Sequence, residues 1–303
     1  MFKFQVIFSL IFTLILSVSC TSKRDKELGS AENPVKFFFV PSVDATLLDS
    51  GAKVVKEYLE KETPYKYKFA IPQSYVAVVE AFGTDRADVA SLNTFGYILA
   101  NEKYGVEALI RVIRYGSDTY KSQIIAKADG PIKKLEDING KKFAYVDSAS
   151  TSGYLLPAKY LKDKGVQPES VVFAKKHDNV VTMIYQGQVD AGATFYTPPD
   201  NGKIQDARRL VKTQFPDVEE KIKIVELTSD IPNDPIVFRK DLSPEMKKTI
   251  QDALLKFVKT PDGAKAFHDL YGVTDFKVST DKDYDSVRDI LKALGKNASD
   301  LIK

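Results

Sequence analysis

The chain is poor in the residues that most often carry covalent or metal chemistry. It has one cysteine, Cys20, and two histidines, His177 and His268. A single cysteine leaves no disulfide within the chain, and neither a Cys-His pair nor a multi-histidine metal site has the residues it needs. An excess of charge is also missing: 44 Lys+Arg face 41 Asp+Glu, a formal +3, and the basic residues are dispersed. That balance excludes a polyanion-binding tail and gives no reason to expect nucleic acid as a partner. There is no repeat of fixed period, no low-complexity tract, and no P-loop or Rossmann glycine pattern. The chain therefore reads as a non-enzyme that needs no metal and no cofactor. A Ser-His pair drawn from Ser150–Ser152 and His177 is the one hydrolase-like alternative, and turnover of a chromogenic phosphate ester would reveal it.

The amino terminus carries an export pattern. Lys3 precedes an apolar run from Phe4 to Val18, broken only by Gln5, Ser9, Thr13 and Ser17. The run is too short for a comfortable membrane span and ends in small residues, so residues 1–20 read as a secretory signal. Leu16-Ser17-Val18-Ser19-Cys20 resembles a bacterial lipobox, in which the cysteine is lipidated and becomes the first mature residue. Ser17 stands where a branched apolar residue is usual, and Leu16 lies one place early, so cleavage without lipidation is the alternative. Residues 21–33 are polar and lack hydrophobic periodicity, as a tether would.

The chain's 303 residues leave room for two domains with substantial cores. Val35–Val40, Tyr65–Ile71, Ala87–Leu92 and Ala108–Tyr115 read as strands, with helical patterns over 47–62, 75–82 and 95–104 between them. A second unit follows, with strands from Ser122, Phe143, Val171, Ala191 and Ile222, and helices after Ser152, near 179–186 and near 203–212. Helices over 244–259 and 263–270 come next, then a charged stretch with Val287, Ile290, Leu291 and Leu294 at helical spacing. This βα alternation predicts an α/β fold of two lobes, each a mostly parallel sheet flanked by helices. Ligands of such sheets collect beyond the carboxyl ends of the strands.

One segment lies at such an end. Ser148-Ala149-Ser150-Thr151-Ser152-Gly153-Tyr154-Leu155-Leu156-Pro157 joins the strand at Phe143–Val146 to a helix closed by Gly165. A helix start exposes unpaired N–H groups and the positive end of the macrodipole, and short hydroxyls add donors. Gly153 is expected to let a ligand approach the backbone. Together these make an anion cradle. Ordinary N-capping accounts for one hydroxyl but not for three followed by glycine. Pro157 lacks an N–H, which places the helix start near Ser152.

Several segments resemble the substrate-binding proteins of phosphonate, phosphite and phosphate ABC transporters, which are type II periplasmic binding proteins. They are Ser150–Pro157, Ile231-Pro232-Asn233-Asp234-Pro235-Ile236-Val237, His177 within Lys176-His177-Asp178-Asn179, Gly187–Ala193, and Tyr75 before the second helix. The resemblance runs through nearly the whole mature chain. It implies two lobes, 34–118 with 229–303 and 119–228, joined by two hinge crossings near Tyr115–Ser122 and Val225–Pro232. It implies an exported monomer that takes a small phosphorus oxyanion to an ABC permease, held at the membrane through a lipid on Cys20 alone. A protein of the same fold that feeds a membrane sensor is the alternative, which a neighbouring permease and ATPase gene would decide.

The same resemblance implies roles for individual residues. Ser150, Thr151 and Ser152 would hold the phosphoryl oxygens. Tyr75 would donate its phenol, unless it is only a packed helix aromatic. His177 would donate from a ring nitrogen, although read in isolation a histidine beside Asp178 is more often a capped or surface side chain than a ligand. Asp234 faces an anion usefully only as acceptor for a P–OH proton or partner of a cationic tail; otherwise it is a turn residue between prolines. In the first of these roles it would select the monoprotonated oxyanion. Thr197 stands where aminoalkyl-phosphonate binders place a carboxylate, which argues for a compact oxyanion over an ammonium-bearing one. Asn93 and Thr94 replace the family's more common aromatic-Gly-Pro and would add polar groups. Neither motif holds an arginine, so capture is expected to rest on neutral dipoles and hydroxyls.

Overall fold

The computed structural model describes residues 27–43 and 45–293. The export signal, Cys20 and Leu294 lie outside these residues. The elements run β1 (Val35–Phe39), α1 (Ala45–Glu62), β2 (Tyr67–Ala70), α2 (Tyr75–Phe82), β3 (Val89–Ser91), α3 (Thr94–Tyr104) and β4 (Glu107–Ile113). After a first crossing come β5 (Thr119–Lys127), β6 (Lys142–Tyr145), α4 (Leu156–Asp163), β7 (Ser170–Phe173), α5 (His177–Tyr185), β8 (Ala191–Tyr196), α6 (Val218–Lys221) and β9 (Ile222–Pro232). After a second come β10 (Pro235–Phe238), α7 (Pro244–Phe257), α8 (Pro261–Tyr271), β11 (Asp275–Val278) and α9 (Asp285–Ala293).

Two sheets result, ordered β11-β4-β10-β3-β1-β2 and β7-β6-β8-β5-β9. Both are mixed rather than mostly parallel. β1 runs parallel to β2 and β3, and β6 to β7 and β8. β10 is antiparallel to β3 and β4, β11 to β4, and β5 to β8 and β9. Parallel neighbours need a crossover, usually a helix. β5 and β10 arrive from the other sheet without one, and they enter antiparallel.

Local chemistry explains the elements. β1 alternates buried and half-buried residues, and Phe37 stacks on Phe69 of β2 with ring centroids 5.0 Å apart. Ser74, Ser243 and Thr260 cap α2, α7 and α8 through their hydroxyls. Gly105 and Gly272 end α3 and α8 in the left-handed region, at φ 67° and 66°. Residues 203–212, expected as a helix, form only a short 3-10 turn at Ala207–Val211, capped by Asp206. At the other end of the chain, the 27–33 part of the expected tether folds as a turn. Lys66 N donates to Gly29 O at 2.7 Å, and Leu28 packs on the core of the first sheet.

One apolar cluster belongs to the first lobe and one to the second. A third runs across both, from Tyr75, Leu92 and Phe95 to Val146, Leu155 and Val180. The two lobes therefore meet, and the cleft between them is narrow. The chain crosses at Arg114–Asp118 and again at Asn233-Asp234, one residue beyond the expected second crossing. Asn233 holds the crossings together: its Nδ2 donates to Ser117 O at 2.9 Å and its Oδ1 accepts from Arg114 Nη1 at 3.0 Å.

Candidate ligand-binding site

The hydroxyl turn stands where the second sheet faces the first lobe. Ser150 has an extended backbone, and its Oγ accepts from Gly153 N at 3.1 Å, so it does cap the helix start. The next five residues, Thr151–Leu155, form one wide turn closed from Leu156 N to Thr151 O, and α4 follows with Pro157 in its first turn. Such i→i+5 turns are rare and gather at functional sites. Gly153 has a different reason from the one expected. A Cβ there would lie 2.4 Å from Val146 Cγ2, so the glycine lets the turn pack on the end of β6 rather than admitting a ligand.

Thr151 joins the lobes. Its Oγ1 accepts from Phe95 N at 2.8 Å and from Asn93 Nδ2 at 3.0 Å, while Asn93 Nδ2 also donates to Ala149 O at 2.8 Å. With both acceptor positions filled, the Thr151 hydroxyl can serve any further group only as a donor. Ser42 O accepts from His177 N at 3.3 Å, adding a second tie between lobes. Ser152 is anchored through its carbonyl by Ser122 Oγ at 2.5 Å, and its side chain meets the Tyr120 phenol.

A cavity of about 60 Å³ lies between the lobes. One water occupies about 10–15 Å³ of such space, so the cavity accommodates about four to six groups of that size. Its wall includes seven of the eight expected ligand-binding residues: Ser150, Thr151, Ser152, Tyr75, His177, Asp234 and Asn93. Thr197 is there too, buried, together with an apolar side made by Val40, Val43, Leu92, Phe195 and Leu270. Thr94 is the exception. It is fully buried, and its hydroxyl donates to Pro232 O at 2.7 Å, so it secures the end of β9 and does not reach the cavity.

Several polar atoms at this wall are buried without a hydrogen-bond partner among the described residues: Tyr75 Oη, Asn93 Oδ1, His177 Nδ1, Asp234 Oδ1 and Arg209 Nε. Native proteins leave few such groups, and each asks for an explanation. Burial, reinforced by the Asp147 carboxylate, pushes the Tyr75 phenol well above its ordinary pKa, so it stays a donor. Burial, helped by the Arg114 cation, pulls His177 from 6.5 to about 3, which keeps its ring neutral. The ring is braced edge-on by Phe195, 5.0 Å between centroids.

The expectation of a site without formal positive charge is overturned. Arg114 and Arg209 both line the cavity. Arg114 follows β4 at the first crossing, and Arg209 lies on the 3-10 turn, so neither is near the motifs in sequence. Arg114 is consumed internally: Nη2 donates to Asp234 Oδ2 at 2.7 Å, Nη1 to Asn233 Oδ1 and Nε to Tyr271 O at 2.9 Å. Asp234 thus enters the site already neutralised, with one oxygen left over. Tyr120, another wall residue missed in the sequence, stacks beneath Arg114 with 5.7 Å to the ring centroid.

Comparison with known proteins places this geometry. The family described as ABC transporter, phosphonate, periplasmic substrate-binding protein matches residues 37–284. The phosphonates-binding periplasmic protein of Escherichia coli (strain K12) is 26% identical over 289 residues, covering 91% of this chain and 81% of its own. The phosphate-import protein PhnD of Mycolicibacterium smegmatis is 28% identical over 308 residues, covering 93% of each. Among solved structures, PhnD1 of Prochlorococcus marinus (MIT 9301), in complex with methylphosphonate, superposes with a TM-score of 0.74. It is 18% identical over 86% of this chain and 98% of its own. A binding protein component of an ABC phosphonate transporter from Pseudomonas aeruginosa gives 0.75 at 22% identity, over 84% of each chain. This chain belongs to the family of extracytoplasmic substrate-binding proteins of phosphonate ABC transporters.

Proposed function

We propose that the protein captures one small tetrahedral phosphorus oxyanion, a phosphate, phosphite or short alkylphosphonate, between its lobes and presents it to an ABC permease. The observation that carries this is the convergence of the Ser150, Thr151 and Ser152 hydroxyls with the unpartnered Tyr75 Oη and His177 Nδ1 on one small cavity. Hydroxyls, a neutral imidazole and a protonated phenol surround the head group as donors in a site from which water is excluded, where each is worth more than in bulk. Asp234 Oδ1, one of two unpaired acceptors at the wall with Asn93 Oδ1, takes the proton of a P–OH group. The apolar side made by Val40, Val43 and Leu92 suits a short alkyl substituent or a P–H bond. Ligands named for the relatives agree in class: phosphonates, phosphate and methylphosphonate.

The protein binds rather than turns over its ligand. His177, with a pKa of about 3, is a poor general base, and among the described residues its Nδ1 lacks the carboxylate that a Ser-His-Asp triad requires. It acts as a monomer, held at the outer face of the membrane through a lipid on Cys20. Mass spectrometry of the mature amino terminus tests the anchor.

Titration calorimetry against phosphate, phosphite, methylphosphonate and 2-aminoethylphosphonate tests the ligand class. The compact oxyanions are expected to bind and the ammonium-bearing compound to bind weakest, because Thr197 offers its charge no partner. Ser150→Ala is expected to weaken the bound oxyanion by about 1–3 kcal/mol. Tightest binding by the aminated compound, or indifference to the serine, sinks the reading.

A further inference from the structure

Arg209, unlike Arg114, has no carboxylate in contact with it among the described residues. Among the described residues it makes no ion pair within 4 Å, and its Nε is buried without a partner at the cavity wall. The two carboxylates whose charge reaches it are engaged elsewhere. Asp206 holds Arg208 through both oxygens, at 2.8 and 3.0 Å, and Asp269 pairs with Lys265. Burial accordingly pulls the Arg209 guanidinium below its ordinary pKa. The 3-10 turn that carries it packs against β8, the strand that leads to Thr197. With Asp234 cancelled by Arg114 and His177 neutral, Arg209 is the one uncompensated charge among these wall groups. The residue is half-buried with its Nε fully enclosed, and a cation so placed without a close counter-ion is best compensated by an anionic group in the cavity.

We propose that Arg209 makes the tail end of the cavity an anion subsite, so that the preferred substrates are phosphorus oxyanions bearing a second acidic group, such as carboxyalkyl phosphonates. This rests on the phosphorus-oxyanion reading above. The hydroxyl turn, Tyr75 and His177 take the phosphoryl head, whose proton faces Asp234 Oδ1. Arg209 then receives the ionised tail in a charge-assisted hydrogen bond. Thr197 adds a neutral hydroxyl there and no repulsion.

The test is calorimetric titration of the full chain, wild type and Arg209→Gln, with phosphonoacetate, methylphosphonate and 2-aminoethylphosphonate. Wild type is expected to prefer phosphonoacetate over methylphosphonate by about tenfold or more, the scale of one charged hydrogen bond. Arg209→Gln is expected to erase that margin while methylphosphonate stays within about threefold. Arg209→Lys, which keeps the charge, retains part of the preference and serves if the glutamine variant does not fold. Methylphosphonate binding as tightly as phosphonoacetate to wild type overturns the proposal and leaves the oxyanion reading standing. Equal weakening of both ligands by Arg209→Gln also overturns it, since Arg209 then serves the shared head. If none of the three ligands binds, this proposal fails, and titration with phosphate and phosphite then decides the oxyanion reading.

Discussion

His177 illustrates how a single buried side chain ties ligand chemistry to stability. Its folded pKa of about 3 lies below the ordinary 6.5, because burial and Arg114 disfavour the charged ring. The unfolded chain therefore takes up a proton at this residue that the folded chain refuses. Stability is full above about pH 6.5 and falls as pH drops toward 3, by up to about 1.4 kcal/mol per pH unit. Urea denaturation at pH 7, 6 and 5 is expected to show that slope reduced in His177→Gln. Equal slopes in the two proteins would mean that the ring titrates normally and does not sit neutral in the site. At the same scale, identity alone did not separate Asn93 from Thr94. Both are polar and both are buried, yet one lines the cavity and ties the lobes while the other ends as a support for Pro232. Only the direction of a side chain distinguishes them, and that direction depends on what packs around it.

Among the elements, the turn at Thr151–Leu155 is the most demanding. It must place three hydroxyls at the cleft while packing its back on β6, and Gly153 is the point of contact. A methyl group there meets Val146 Cγ2 at 2.4 Å, Val146 Cβ at 2.5 Å and Ser150 Oγ at 2.9 Å, all nearer than real Cβ contacts allow. Gly153→Ala is accordingly expected to lower stability by about 1–3 kcal/mol, as overpacking does. It should also disturb the Ser150 cap and weaken oxyanion binding. A thermal melt and a titration check both, and an unchanged variant would show that the turn has room to spare. The elements themselves were largely legible in the sequence, because alternation, helical stripes and Ser, Thr or Gly caps are short-range signals. Two exceptions stand out: residues 203–212 carry helix-compatible side chains but give only a 3-10 turn, and β11 is a four-residue edge strand whose order is supplied by β4.

At the scale of the whole molecule, the site and the contact between the lobes share residues. The lobes meet through Asn93 and Thr151, so the residue expected to hold the ligand also holds the partner lobe. A ligand that accepts a hydrogen bond from Thr151 thereby polarises the hydroxyl that Phe95 N and Asn93 Nδ2 donate to, and hydrogen bonds in chains strengthen one another. Asn93→Ala removes two cross-lobe bonds and leaves Thr151 with one donor. Closure should weaken by about 1–3 kcal/mol. In small-angle scattering the ligand-free variant should be more extended than wild type, with affinity reduced in proportion to the lost closed population. Identical scattering and affinity would show that these bonds do not govern closure.

The amino-acid sequence by itself determined the α/β class, most of the strands and helices, the serine-rich turn at the end of a strand, and the family resemblance, because each is written in neighbouring residues. Tertiary structure decided the electrostatics. It brought Arg114 from one crossing onto Asp234 at the other, set Arg209 unpaired at the same wall, and held His177 neutral. Charge in a cleft is a through-space property of groups far apart in the chain, and its strength depends on burial that no local pattern records.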